Sequence, residues 1–300
     1  MNGVLVVDKP QGMTSAAVVS KVKRSLGVKK VGHTGTLDPM ATGVLPLCIG
    51  EGTKIAGYLL AESKTYLATI KLGVCTDTLD ADGEVTEENP AALLGVTEEK
   101  VQKVVEGFLG ESMQIPPMFS ALKHKGQRLH KLARAGKTID VPPREICVHA
   151  IEIKSLDLPS FSIEVSSSKG TYIRAIARDI GSRLGCGAHL ASLRRIQSGE
   201  FGLESAVTLE QILDDPKAVK CVALPKALTH MEKVVVKEPI LEAIINGKPL
   251  NWLDLSTKEC SNQNVALLTP KGDLAALVSC KKSGDIRYLR VFTYGLTGSV

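Results

Sequence analysis

Apolar residues along this chain recur with two periods, and the switches between them mark out its elements. Gly3-Val-Leu-Val-Val7 is a short continuous apolar run, halted by Asp8-Lys-Pro-Gln-Gly12. Val18, Val19, Val22 and Leu26 then fall at helical spacing. A helix is expected from a cap at Thr14 or Ser15 through Leu26, closed by Gly27. Lys54 to Ala61 is a second helical stretch. Lys64-Thr-Tyr-Leu-Ala-Thr-Ile-Lys-Leu72 changes to period two and places Tyr66, Ala68, Ile70 and Leu72 on one face of a strand. Residues 97 to 109 return to the helical period, with Thr97 as cap, Glu98 and Glu99 in the first turn, and Gly110 as the stop. A helix-like run follows from Gln127 to Gly136, then the alternating strand Phe161-Ser-Ile-Glu-Val165 and the helix Ala175 to Leu184 before Gly185. Tyr172 and Arg174, two residues apart, read as neighbours on one strand face.

From Val207 the texture changes. A helix at 208 to 214 is followed by Pro216, Pro225 and Pro239, which mark a join. Beyond it Val265-Ala-Leu-Leu268, Leu274-Ala-Ala-Leu-Val278 and Ile286-Arg-Tyr-Leu-Arg-Val-Phe292 read as strands, separated by turns at Pro270–Asp273 and Lys281–Asp285. A small all-β unit over 231–300 is expected behind a larger domain over 1–230. Two domains also suit a chain of 300 residues.

Composition narrows the class. With 44% hydrophobic and 23% charged residues the chain is ordinary globular material. Its seven cysteines are scattered singly without a C-x-x-C pair, so no zinc or dithiol site is signalled and no metal is expected. Odd, scattered thiols, no signal-peptide pattern and no long apolar segment lead to the expectation of a cytoplasmic protein without a membrane partner. The net charge of +5 is mild, but it is unevenly placed. Between 123 and 144 stand Lys123, Lys125, Arg128, Lys131, Arg134, Lys137 and Arg144 with His124 and His130, and only Asp140 opposes them. Such a run favours a polyanionic partner, because neutralising phosphates releases counterions. Lys21, Lys23, Arg24, Lys29 and Lys30 are read more simply, as a solvated helix face and its exit.

The densest chemistry lies in Gly32-His-Thr-Gly-Thr-Leu-Asp-Pro-Met-Ala-Thr-Gly43. Glycines allow tight turning around one imidazole, three hydroxyls and a single carboxylate, Asp38. Asp38-Pro39 is also how many helices begin, with Asp as cap. Thr76 to Glu84 has the look of a calcium loop but lacks the acidic residues at both ends, so Asp82-Gly83 is read as a hairpin turn. No phosphate-binding loop, dinucleotide fingerprint or serine-nucleophile elbow is present.

Six motifs in order resemble those of the TruB family of pseudouridine synthases, which isomerise uridine 55 in the T loop of tRNA. They are Asp8-Lys-Pro, Gly32 to Gly43, Lys64-x-Tyr66, Gln114-x-Pro-Pro-x-x-Ser-Ala-x-Lys123, Ser168-Lys-Gly-Thr-Tyr-Ile-Arg174 and Leu193-Arg-Arg195. The resemblance extends from Asp8 to about Phe201, roughly two-thirds of the chain. Ser167 and His130 depart from the family's common Cys and Tyr. The resemblance implies an α+β pseudouridine synthase fold, with a large, mainly antiparallel mixed sheet flanked by helices and a small C-terminal PUA-like domain. It implies Asp38 as catalytic nucleophile, Tyr66 and Tyr172 as substrate-contacting tyrosines, and Arg174 as the partner of the carboxylate. His33 would help hold the opened RNA loop and Leu193 would line the pocket. The stretch 114–145 would be an RNA-clamping insertion.

The implied reaction needs no cofactor. It leaves three routes open for the aspartate: attack on ribose C1′, addition to uracil C6, or assistance in losing a ribose proton. The expected partner is the T stem-loop of tRNA, bound by a monomer without guide RNA. Two rivals remain: a non-catalytic tRNA-binding or tRNA-folding protein on the same scaffold, and a guide-RNA-dependent synthase.

Overall fold

The computed structural model describes residues 1–255, 264–280 and 285–293. Among these, ten strands form one mixed sheet. Its main path runs Val207–Thr208, Gly3–Lys9, Thr42–Ile49, Ala188–Ser198, Lys64–Leu72, Ser160–Ser167, Arg144–Asp157 and Gly110–Gln114. Val31–His33 pairs with Thr42–Ile49, and Phe201–Gly202 with Ala188–Ser198. Two pairings are parallel, Gly3–Lys9 with Val207–Thr208 and Thr42–Ile49 with Ala188–Ser198; the others are antiparallel.

Burial explains the two strand patterns. Gly3–Lys9 is covered on both faces, which is why its sequence is an apolar run. Leu5 and Val7 face a core built with Val18 and Val22 of helix Ser15–Ser25 and with Ile176, Ala177 and Ile180 of helix Ile173–Leu184. Val4 and Val6 face a second core that includes Leu224, Leu228, Leu268, Leu274 and Phe292. Lys64–Leu72 alternates as expected, with Tyr66, Ala68, Ile70 and Leu72 all buried.

Helix ends follow local chemistry. Thr14 accepts from the Ala17 amide, and Thr97 from that of Lys100. Gly185 closes its helix in the left-handed conformation at φ 74. The helix after Thr97 stops at Glu106, four residues before Gly110, which instead opens an edge strand. Lys54 to Ala61 divides into a 3-10 turn, Gly50–Lys54, and the helix Ala56–Leu60. The helix-like run from Gln127 shortens to Leu129–Arg134, beside a small hairpin of Lys123–His124 and Gln127–Arg128.

The C-terminal unit has a sheet in the order Glu232–Val235, Asn264–Leu268, Leu274–Cys280, Ile286–Val291. It also contains a helix that the strand pattern concealed, Glu238–Ile245, with Pro239 in its first turn rather than in a linker. The turn expected at Lys281–Asp285 lies mostly outside the described residues.

Candidate active site

Asp38 sits on the loop between Val31–His33 and Thr42–Ile49. No helix follows it. The Ala41 amide donates to the Asp38 carbonyl at 3.1 Å, so Asp38-Pro-Met-Ala41 is a turn and the cap reading fails. The loop is pinned from the N-terminal segment. Ser15 Oγ donates to the Leu37 carbonyl at 3.0 Å and accepts from the Leu37 amide at 2.8 Å. Lys9 Nζ donates to the carbonyls of Pro10 at 2.8 Å and Pro39 at 3.2 Å, and the Gly12 amide adds a bond to Pro39 at 2.8 Å. Met40 and Leu37 are buried, while the Asp38 side chain keeps 36% of its surface open. The loop is held rigidly and its carboxylate is reachable.

Arg174 connects that carboxylate to the rest of the site. Its Nε lies 3.0 Å from Asp38 Oδ2 and its Nη1 lies 3.3 Å from Asp80 Oδ2. Nη1 also donates to the Thr78 carbonyl at 2.8 Å, and Nη2 to that of Phe119 at 2.8 Å. A buried guanidinium with this many acceptors is fixed in place. Burial pushes the Asp38 carboxyl above its usual range; Arg174 opposes that rise and Asp80 adds to it.

Tyr172 and Arg174 do not share a strand face. Tyr172 caps helix Ile173–Leu184 and Arg174 lies in its first turn, so the two-residue period does not apply. Gln114 holds this turn: its Oε1 accepts from the Tyr172 amide at 2.9 Å and its Nε2 donates to the Tyr172 carbonyl at 3.1 Å. Burial raises the Tyr172 phenol, on which Arg174 and Asp38 both act electrostatically. Tyr66 is paired across the sheet with Arg195, and Leu193 with Ala68 on the same face. Arg195, itself buried, donates from Nη2 to the Gly35 carbonyl at 3.1 Å and from Nε to that of Val44 at 2.6 Å. His33 Nδ1 accepts from the Gly35 amide at 3.3 Å. Burial and the nearby Arg195 lower the His33 pKa and favour its neutral form.

Thus Asp38 and Arg174 are in direct contact, Tyr172 leads into the turn that carries Arg174, and Tyr66, Leu193 and His33 are tied to the loop through Arg195 and the shared core. Sequence reasoning missed Asp80. It lies in the acidic loop read only as a turn, and a lone carboxylate among four gives no signal that one is buried. Lys9, Gln114 and Arg195 were legible as motif members, but not Lys9 and Arg195 as supports of the loop or Gln114 as the support of the Tyr172 turn. Among the described residues, no group of three or more His, Cys, Asp or Glu side chains could hold a metal ion, and no helix is long and apolar enough to cross a membrane.

Asp38 thus stands on a pinned loop in contact with its arginine partner, and comparison with known proteins identifies the fold as that of a pseudouridine synthase. Residues 23–173 match the family described as TruB family pseudouridylate synthase, N-terminal domain, and residues 174–236 match the tRNA pseudouridylate synthase B C-terminal domain. The tRNA pseudouridine synthase B of Francisella philomiragia is 48% identical over 248 residues, covering 83% of this chain and 80% of that protein. That of Clostridium novyi is 44% identical over 247 residues, covering 82% and 84%. A chain in the crystal structure of a Cbf5–Nop10–Gar1 complex superposes with a TM-score of 0.71 at 29% identity, covering 99% of this chain and 81% of that one. The chain belongs to the TruB family of pseudouridylate synthases, and is an isomerase.

Proposed function

We propose that this chain converts uridine 55 in the T loop of tRNA to pseudouridine, acting alone and using Asp38 as the nucleophile. The observation that carries this reading is the Asp38–Arg174 contact at 3.0 Å, with the carboxylate still partly open. Burial favours the protonated acid, and Arg174 works against burial to keep the nucleophile ionised. Isomerisation breaks the C1′–N1 bond and joins C1′ to C5; N1 gains a proton and C5 gives one up. The uracil must leave its stack first, at a cost of a few kcal/mol. Tyr66 supplies the stacking surface, worth about 1–3 kcal/mol. Tyr172 borders the base, Leu193 lines its pocket, and neutral His33 helps hold the opened loop. The basic insertion over 114–145 clamps the RNA, and the PUA-like unit from 231 onward gives it a second domain to bind.

The tRNA substrate is supported by the names of relatives 44–48% identical to this chain. Their identity exceeds the 29% of the chain from the Cbf5–Nop10–Gar1 complex, and this favours action without a guide. The test uses purified protein and unmodified tRNA transcript, with pseudouridine mapped at single-nucleotide resolution and Asp38→Ala in parallel. One new pseudouridine in the T loop, absent with the variant, is expected. Tight binding without product from the unaltered chain would leave an RNA-binding or RNA-folding protein. Product formed only after a guide RNA is added would assign it to the guided branch.

A further inference from the structure

The basic residues of helix Ser15–Ser25 and its exit read from sequence as a solvated face, and their placement in the structure gives that face a further use. Lys21, Lys23, Arg24, Lys29 and Lys30 are all exposed. No carboxylate lies within salt-bridge distance of any of them among the described residues. Between Lys9 and Gly50 the chain has one acidic residue, Asp38. Charges near a helix C-terminus offset its dipole, which accounts for Lys23 and Arg24 but not for Lys21, Lys29 or Lys30.

Position adds a second argument. The helix packs against Leu209–Asp214 through Ser25 Oγ, which donates to the Ile212 carbonyl at 3.1 Å. That bond places it toward the Val207–Thr208 end of the main sheet. The insertion over 114–145 emerges at the opposite end, between Gly110–Gln114 and Arg144–Asp157. The catalytic loop lies between the two. Lys30 leads directly into Val31–His33, so it stands about 10 Å of extended chain from His33. Lys23 and Arg24 also border a shallow cavity of about 360 Å³ with Ser20, Gly27 and Val28. A rod of phosphates crossing the site would meet cations at both ends.

We propose that Lys21, Lys23, Arg24, Lys29 and Lys30 form a second phosphate-binding surface, which grips the backbone of the substrate RNA away from the target uridine. The proposal rests on the RNA-modifying function proposed above. This surface carries no base readout, so it strengthens binding independently of sequence and does not touch the chemical step.

The test compares the unaltered chain with a Lys21→Gln, Lys23→Gln, Arg24→Gln, Lys29→Gln, Lys30→Gln variant and with a second variant carrying Arg at the four lysines. Binding to tRNA transcript is measured across a series of KCl concentrations, and kcat and KM at one concentration. Each phosphate that is no longer neutralised should shrink the slope of log K against log salt by about 0.7–0.9. For about three to five such phosphates the slope falls by about 2–4.5, and KM rises at least about tenfold. The kcat at saturation stays within about twofold, and the arginine variant keeps the full slope. If the five-fold variant does not fold, Lys29→Gln with Lys30→Gln should still lower the slope by about 1.4–1.8. An unchanged slope and KM would overturn the proposal and restore the solvated face. A lower kcat at unchanged KM would also overturn it, making the helix a support for the loop. An unaltered chain that neither binds nor modifies tRNA would instead overturn the proposed function.

Discussion

The carboxylate of Asp80 meets Arg174 Nη1 at 3.3 Å, on the same guanidinium whose Nε lies 3.0 Å from Asp38. Asp80 is as buried as Arg174 and is fixed in turn by Thr78 Oγ1, which donates to its Oδ1 at 2.6 Å. Two carboxylates therefore share one cation, and Asp80 raises the pKa of Asp38. Asp80→Asn removes that negative charge while keeping an acceptor for Arg174. The acid limb of kcat/KM should move to lower pH, because Asp38 then ionises more readily. A pH–rate profile on tRNA transcript checks it; an unmoved limb would show that the two carboxylates are not coupled.

Arg174→Gln should act in the opposite direction. Without the guanidinium, burial and Asp80 both push Asp38 upward. The acid limb moves to higher pH, and the loss of activity is smaller at pH 9 than at pH 7. The change also leaves Asp80 buried without its cation, at a cost of about 3–5 kcal/mol. Urea unfolding beside the pH–rate profile separates the two effects.

Asp38→Asn should keep RNA affinity and lose turnover by about a thousandfold or more, as expected for a nucleophile. It should also unfold at a higher temperature than the unaltered protein at pH 7. The sign follows from the raised folded-state pKa: stability associated with the protonated acid is present below the ordinary value and is lost as pH rises through the folded one. At neutral pH an ionised Asp38 therefore costs stability, and asparagine does not. Thermal unfolding at pH 7 and at pH 4 tests this, since the difference should narrow at the lower pH.

Three strands of the main sheet, Gly3–Lys9, Lys64–Leu72 and Ser160–Ser167, were legible because their code is local, whereas Thr42–Ile49, Ala188–Ser198 and Arg144–Asp157 were not read as strands. The alternation in Lys64–Leu72 and the caps at Thr14 and Thr97 need only near neighbours in sequence. Asp38 stood out because it is the single carboxylate in a glycine-rich loop. Asp80 did not, since its burial depends on Arg174, 94 positions away. The same holds for Tyr172 and Arg174. A strand and the first turn of a helix look alike over three residues, and Gln114, far off in sequence, fixes the backbone there. Pro239 misled for a related reason, because proline serves a helix's first turn as well as a linker.

Gly43→Ala should be among the most damaging single changes in the chain. Gly43 has φ 100, and a Cβ there would lie 2.1 Å from the Arg195 carbonyl oxygen. That oxygen belongs to the neighbouring parallel strand, in register with Gly43, so it cannot swing aside. A loss above about 4 kcal/mol is expected. Gly12→Ala is the control: at φ 80 it has no atom within 4 Å of the added Cβ and should cost only about 1–2 kcal/mol in backbone strain. Urea midpoints for the two variants give the comparison; equal losses would mean that strain alone, and not the Arg195 backbone, restricts Gly43.

Two buried lysines should give stability an unusual dependence on pH. Lys9 and Lys64 are both lowered to about 8, chiefly by burial, with Arg195 nearby adding to the shift in each. Unfolded, each returns to an ordinary value of 10.5. Above about pH 8 the unfolded chain therefore holds more protons than the folded one, and stability rises with pH. Cys48 works the other way, because burial pushes its thiol up to about 12 from 9.0, so the unfolded chain loses that proton first. The lysine effect should thus be clearest between about pH 8 and 9, at up to about 1.4 kcal/mol per pH unit for each lysine. Lys64→Met removes one contribution and leaves the carbonyls of Leu60 and Glu62 without their donor. The variant should be less steep over this interval than the unaltered chain, whatever its absolute stability. Urea midpoints at three pH values between 7.5 and 9 measure both slopes, and a flat or falling line for the unaltered chain would mean that these lysines ionise normally in the fold.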